Sequence, residues 1–336
     1  AEKVNAYIDE NEPDREFKLI VLAYGESVQA PVQRKNGSYV LDSKGKGIPE
    51  IRYEFNENGE KTAVTDEDGN PVKLVCERGV GYEFAASAAN WIHSFYEEEN
   101  REYASAVEAW AGLGASNLHI WSYEISYYQY LYPYNNYQIM LDNFKYFKEF
   151  GGYYIYPEGT WENRNNPGFA KLRDYINSKG MFDVNVDYNE LVDKFFKYYF
   201  REAAPIMRAY FNEVQVVLSD NERITGGGVH SYALSDSRVW QEGLITNWNN
   251  SFKKAEEAIE KYSGADDDLY EALKKHILIE SLFPRYVLCT TYARSYSASQ
   301  RKEMRKAFIE DFEKLGNTTH QEHFKISAIT STWDLT

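Results

Sequence analysis

The stretch LHIWSYEISYYQYLYPYNNYQ, residues 118–138, sets one carboxylate, Glu124, among Trp121, Tyr123, Tyr127, Tyr128, Tyr130 and Tyr132. Aromatic rings grip flat apolar faces, those of sugar rings included, and tyrosine keeps a polar handle while doing so. Carboxylates flanked by such rings suit hydrolysis of a glycosidic bond, which asks for two acids near the scissile bond and platforms for the rings. Three other places repeat the pattern: Glu26 follows LIVLAYG, Glu77 and Glu83 lie in and after VKLVC, and Glu158 and Trp161 follow GYYIYP. The expected roles are therefore Glu124 as leading functional carboxylate with Glu77 or Glu158 as its partner. Trp121, Tyr123, Tyr127 and Trp161 would be sugar platforms, with Glu26 at the substrate. The competing reading is a solvated loop position for each glutamate and core packing for Trp121 and Tyr123.

Residues this far apart in sequence can meet only if a fold brings them together. Four short apolar runs, 17–25, 72–84, 117–123 and 152–159, read as strands of the parallel, doubly buried type. Helical periodicity predicts helices over 101–112 and 137–150 between them. In a parallel β/α array every strand's C-terminal end points to one rim, so Glu26, Glu77, Glu124 and Glu158 would converge there. The turn signals SKGKG, NENGE and DEDGNP mark a polar hairpin excursion over 37–71. Asn166 with Pro167, Asp187 with Glu190, Pro205, and Ser297 with Gln300 announce helix starts, and Pro284 a bend or break. The expected fold class is α/β: the C-terminal part of a TIM-type (β/α) barrel with about four parallel strands in 1–183, followed by an all-α helical domain in 184–336.

Composition narrows the partners. The chain of 336 residues is 43% hydrophobic and 26% charged, with a formal net charge of −15 and scattered Lys and Arg. Nucleic acid and anionic membrane are poor partners for such a surface. No run of eighteen apolar residues exists, so no membrane span is expected. Cys76 and Cys289 stand in no metal spacing and read as buried free thiols. No metal and no cofactor is expected. His320 and His323 lack a third ligand, Gly226–Gly228 lacks the Lys-Ser/Thr of a phosphate loop, and Pro71 occupies the place where a calcium loop needs Gly. The chain has no signal peptide and does not begin with Met, which predicts a fragment or processed chain.

The segments VLAYGES…APV, NWIHSF, AWAGLGASNLHIWSYEISYYQYLYPYNNYQIMLDNFKYFKEFGGYYIYPEG and GFAKLRDYINSKGMFDVNVDYNELVDKFFKYYFREAAPIMRAYF carry a family likeness. Over roughly residues 1–215 they resemble the second half of a bacterial domain-of-unknown-function family, number 4838. Its members are similar to glycoside hydrolase barrels, distantly like α-glucuronidases and β-hexosaminidases, and are common in gut bacteria that degrade glycans. The resemblance implies a carbohydrate ligand and an extracellular or cell-surface location. The family tends to carry Asp where this chain has Ser122, and Glu-Gln-Gly where it has Pro157-Glu158-Gly159. It also implies that the first four barrel strands are missing, so that a partner chain, a homodimer or the helical module covers the open edges. The function expected is glycoside hydrolysis by a carboxylate pair. The alternative is a non-catalytic carbohydrate-binding or scaffold protein with a degenerate barrel rim.

Overall fold

A computed structural model describes residues 1–44, 47–114 and 117–333. The protein is a mixed α/β chain that divides into two compact units. The first takes residues 1–89, 93–123 and 142–157, and the second residues 90–92, 124–141 and 158 onward.

The first unit opens with α1 (Glu2–Asn11) and β1 (Leu19–Tyr24). Two small antiparallel hairpins follow, β2 (Arg34–Lys35) with β3 (Ser38–Tyr39) and β4 (Tyr53–Phe55) with β5 (Lys61–Ala63). The hairpins run from Arg34 to Ala63, where the turn signals predict an excursion over 37–71. Asp66 turns DEDGNP by accepting the backbone N–H groups of Asp68 and Asn70, as an Asx turn does. Gly45 and Lys46 of the SKGKG turn lie outside the described residues. Then come β6 (Val80–Ala85), α2 (Arg101–Gly112), β7 (Leu118–Tyr123), α3 (Ile139–Glu149), whose first residues belong to the second unit, and β8 (Gly152–Glu158). The long strands form one four-stranded parallel sheet in the order β1-β6-β7-β8. Leu22 pairs with Glu83 and Glu83 with His119, so the register is fixed across three strands.

Three strand expectations need correction: the bounds of β6 and the burial of both edge strands, β1 and β8, the latter with Tyr153 67% exposed. Residues 72–76 are not part of β6: Val72 and Leu74 donate to Val64 and Glu50 of the excursion, and Cys76 to Leu113. A turn at Glu77–Val80 follows, with Gly79 at φ +77°, and only then does the strand begin. Nor is β1 buried on both faces. Leu19, Val21 and Leu22 are 42–53% exposed, because β1 is the sheet's edge. Side chains alternate across the sheet. Tyr82, Phe84, Leu118 and Ile120 face the helices. Tyr82 stacks on Trp110 of α2 at 4.7 Å, and Phe84 meets Phe95, which meets Phe147 of α3 at 4.8 Å. Gly112 lets the excursion lie on α2, since a side-chain carbon there would meet the Gly47 carbonyl oxygen at 2.2 Å.

The second unit is mainly helical: α4 (Ala170–Phe182), α5 (Tyr188–Tyr199), α6 (Ala204–Asp220), α7 (Glu222–Thr225), α8 (Glu242–Ile259), α9 (Asp267–Thr290) and α10 (Ala298–Lys314). It is not helical throughout, because β9 (Thr319–Gln321) and β10 (Phe324–Lys325) form a hairpin after α10, followed by the short α11 (Ser327–Thr330). The side chains of Asp187 and Ser297 accept the expected capping hydrogen bonds from Glu190 and Gln300. The start of α4 differs from the expectation. Asn166 does not cap it; the helix begins at Ala170, after Phe169 in the left-handed region at φ +53°. The Phe169 ring is 1% exposed, packed on Phe196, Tyr210 and Phe211, which offsets the strain of that conformation. Its N–H donates to the Glu280 carboxyl of α9 at 2.9 Å. α9 runs unbroken through Pro284. Proline has no N–H to offer the carbonyl four residues earlier, that of Glu280.

Burial pushes the Glu280 carboxyl up to about 8, against hydrogen bonds from the Phe169 and Gly168 amides that pull it down. The folded state therefore holds this proton more tightly than the unfolded chain, whose ordinary value is 4.5. The stabilisation is complete below 4.5 and is lost as pH rises through about 8. Glu280→Gln keeps a neutral acceptor at the same place. The melting temperature of the variant relative to the parent should be near zero at pH 4.5 and climb steadily to pH 8, measured by circular dichroism. A flat difference would place the Glu280 proton elsewhere.

Candidate functional site

The residues that sequence chemistry singled out fall in both units. In the first, parallel pairing puts the C-terminal ends of β1, β6 and β7 on one edge of the sheet. Glu26 lies just past that edge, exposed on the 3-10 turn Gly25–Val28. Glu77 does not reach it. Because β6 begins at Val80, Glu77 sits at the opposite, N-terminal end, where it accepts a hydrogen bond from Asn5 of α1 at 2.8 Å. Trp121 is half-buried and Tyr123 is 8% exposed.

The sheet face opposite the helices carries two rows. Leu22, Glu83 and His119 stand in register, and the ring of Tyr154 lies 5.4 Å from that of His119. Two residues further along each strand come Tyr24, Ala85 and Trp121, with Tyr156 edge-on to Trp121 at 4.8 Å. Tyr24, Tyr154 and Tyr156 remain 50%, 50% and 42% exposed. Burial holds the His119 imidazole below its ordinary pKa, with the Glu83 carboxylate opposing and Lys18 adding to the effect. The ring is thus neutral at pH 7, and its Nε2 is enclosed without a hydrogen-bond partner. Sequence reading did not bring Glu83, His119, Tyr24, Tyr154 and Tyr156 together as one surface. The period-2 alternation in each strand was its only signal.

In the second unit Glu124 is 1% exposed. One carboxylate oxygen accepts from Asn177 Nδ2 at 2.5 Å, and its backbone carbonyl accepts from Asn136 Nδ2 at 3.2 Å. Asn136 in turn accepts from Arg173 Nε at 3.2 Å, while Arg173 Nη2 donates to the Tyr134 carbonyl at 2.9 Å. Arg173 and Asn177 are four apart on α4 and so lie on one face of it. Sequence reading missed both, although their spacing on an apolar helix face was visible. Tyr127, at 1% exposed, is a buried strut whose hydroxyl donates to the Glu158 carbonyl at 3.2 Å. Glu158 is partly buried. Trp161 is 54% exposed, edge-on to His323 at 5.9 Å, and its N–H donates to Tyr130 Oη.

One set of possible cation ligands exists among the described residues: atoms of His93, Glu97 and Glu99 lie within 4.8 Å of one another. His93 Nδ1 is 2.8 Å from one Glu97 oxygen, and the other oxygen accepts the Ser94 N–H, so the group already clamps its own loop.

The geometry defines an α/β protein with a four-stranded parallel sheet, an exposed aromatic sheet face, and a buried polar network under the residue that follows β7. Residues 65–212 match the family model described as Domain of unknown function (DUF4838), the family that the sequence motifs resemble. No curated protein and no solved structure matches the chain.

The enclosure assigned to Glu124 can be measured. Asn177→Ala removes a donor from an enclosed carboxylate and should cost about 1–3 kcal/mol, read from urea unfolding. Glu83→Gln, on a partly open face, should stay within about 0.5 kcal/mol. Equal effects of the two substitutions would contradict the assignment.

Proposed function

We propose that this chain is the carbohydrate-binding half of a glycoside-hydrolase-like (β/α) barrel, and that it holds a glycan on the open face of its parallel sheet without cleaving it. The observation that carries the reading is the pair of rows on that face. Tyr24, Trp121 and Tyr156 offer ring faces of the kind that stack on sugars. The Glu83 carboxylate accepts from sugar hydroxyls, and the neutral His119 stands in register beside it. Hydrolysis needs two acids that meet the scissile bond. Glu124 is enclosed and bound to Asn177, and Glu77 stands at the far end of its strand.

Hydrolysis is the second reading. It is favoured by the position of Glu124 as the first residue past β7, where barrel enzymes place catalytic groups.

Tyr24→Ala and Tyr156→Ala should each weaken binding of soluble oligosaccharides about tenfold, the equivalent of ~1.4 kcal/mol. The melting temperature should change little, because both side chains are near half exposed. Isothermal titration against a panel of neutral and acidic oligosaccharides reads the effect. Unchanged affinity in both variants would remove the sheet face as the binding surface. A parallel screen of aryl-glycosides should show no turnover; turnover that Glu124→Gln abolishes would establish the second reading instead.

A further inference from the structure

The second unit holds a cavity of about 400 Å³ in which, among the described residues, no Asp, Glu, Lys or Arg forms the wall. That volume is at the low end for small-ligand sites and accommodates one ring rather than a chain. One polar group in its wall is an acceptor still to be satisfied. Gln129 lines the cavity, is 7% exposed, and has an amide oxygen with no hydrogen-bond partner. A buried amide oxygen left unpaired is costly, and a donor from a ligand relieves the cost. His320, also in the wall, has Nδ1 3.1 Å from the Lys325 carbonyl. A carbonyl only accepts, so Nδ1 carries the proton and Nε2 is left to accept. Burial lowers the His320 pKa and keeps the ring in that neutral form.

Tyrosine rings supply the rest. Tyr128 and Tyr232 lie 4.9 Å apart and are tilted by 36°. Tyr232, 58% exposed, is tied to β9 by donating to Gln321 Oε1 at 3.1 Å. An apolar ring face, an acceptor awaiting a donor and the absence of a cationic side chain together select against phosphates and carboxylates. They select for an uncharged molecule rich in hydroxyl groups.

We propose that this cavity is a ligand site for a single neutral sugar ring or a polyol of that size. It is separate from the sheet face and uses Gln129 and His320 as acceptors and Tyr128 and Tyr232 as its aromatic wall. The site does not depend on the function proposed for the sheet.

The test uses the full chain and neutral methyl glycosides of glucose, galactose and mannose as probes. Glucuronate and glucose 6-phosphate are the charged comparators, and binding is read by saturation-transfer NMR and titration calorimetry. Neutral glycosides should bind, and glucuronate and glucose 6-phosphate should not. Gln129→Leu and Tyr232→Ala should each weaken binding about tenfold. Tyr232→Ala guards against misfolding of the more buried Gln129 variant, and circular dichroism checks both. Absence of neutral-glycoside binding by the folded protein would overturn the proposal. So would binding indifferent to both substitutions, or charged sugars bound equally well in a Tyr232-dependent manner. An experimental structure with neutral glycoside present that holds only ordered water on Gln129 would overturn it as well.

Discussion

Parallel pairing of β1, β6, β7 and β8 is the constraint from which the first unit's surface follows. Once Glu83 is locked between Leu22 and His119, period-2 alternation assigns every other side chain to one face or the other. One face must be buried, and Tyr82 on Trp110 and Phe84 through Phe95 on Phe147 achieve that against α2 and α3. The other face inherits whatever residues stand one step out of phase. Parallel sheets are ordinarily covered on both sides. Here Tyr24, Tyr154 and Tyr156 stay near half exposure. Tyrosine tolerates this because its ring is apolar and its hydroxyl is wet.

The second unit is organised around α4. Glu280 receives the Phe169 N–H just ahead of its first turn, and Arg173 and Asn177 on its body receive the chain that follows β7. A carboxylate enclosed as Glu124 is must find donors, and an amide four residues along from an arginine on the same helix provides one. The carboxylate that the sequence singled out first is thus enclosed and held by Asn177. Glu280 shows the other response to burial: it keeps its proton to well above the usual carboxylate range.

Two aromatic environments with different electrostatics coexist in the chain. The sheet face places a carboxylate and an imidazole among rings that solvent reaches. The cavity of the second unit sets rings, amides and hydroxyls together without a formal charge. Ring count alone cannot separate these, because stacking area is common to both. What separates them is the protonation and pairing of the polar groups between the rings.

From its sequence alone this protein could be read as α/β with parallel strands near 17–25, 117–123 and 152–159, the helices between them, a hairpin excursion, and a family likeness over roughly residues 1–215, which the family model matches over 65–212. These features rest on local chemistry: apolar runs, the caps at Asp187 and Ser297, the Asx turn at Asp66. Tertiary structure alone decided that residues 72–76 pair with the excursion and so carry Glu77 to the wrong end, and that Glu124 and Tyr127 are enclosed. It also decided that α4 starts after Phe169 and that the helical unit includes a hairpin after α10. Periodicity reports which side chains share a face; it carries no information about what covers that face or which distant donor a buried carboxylate will meet.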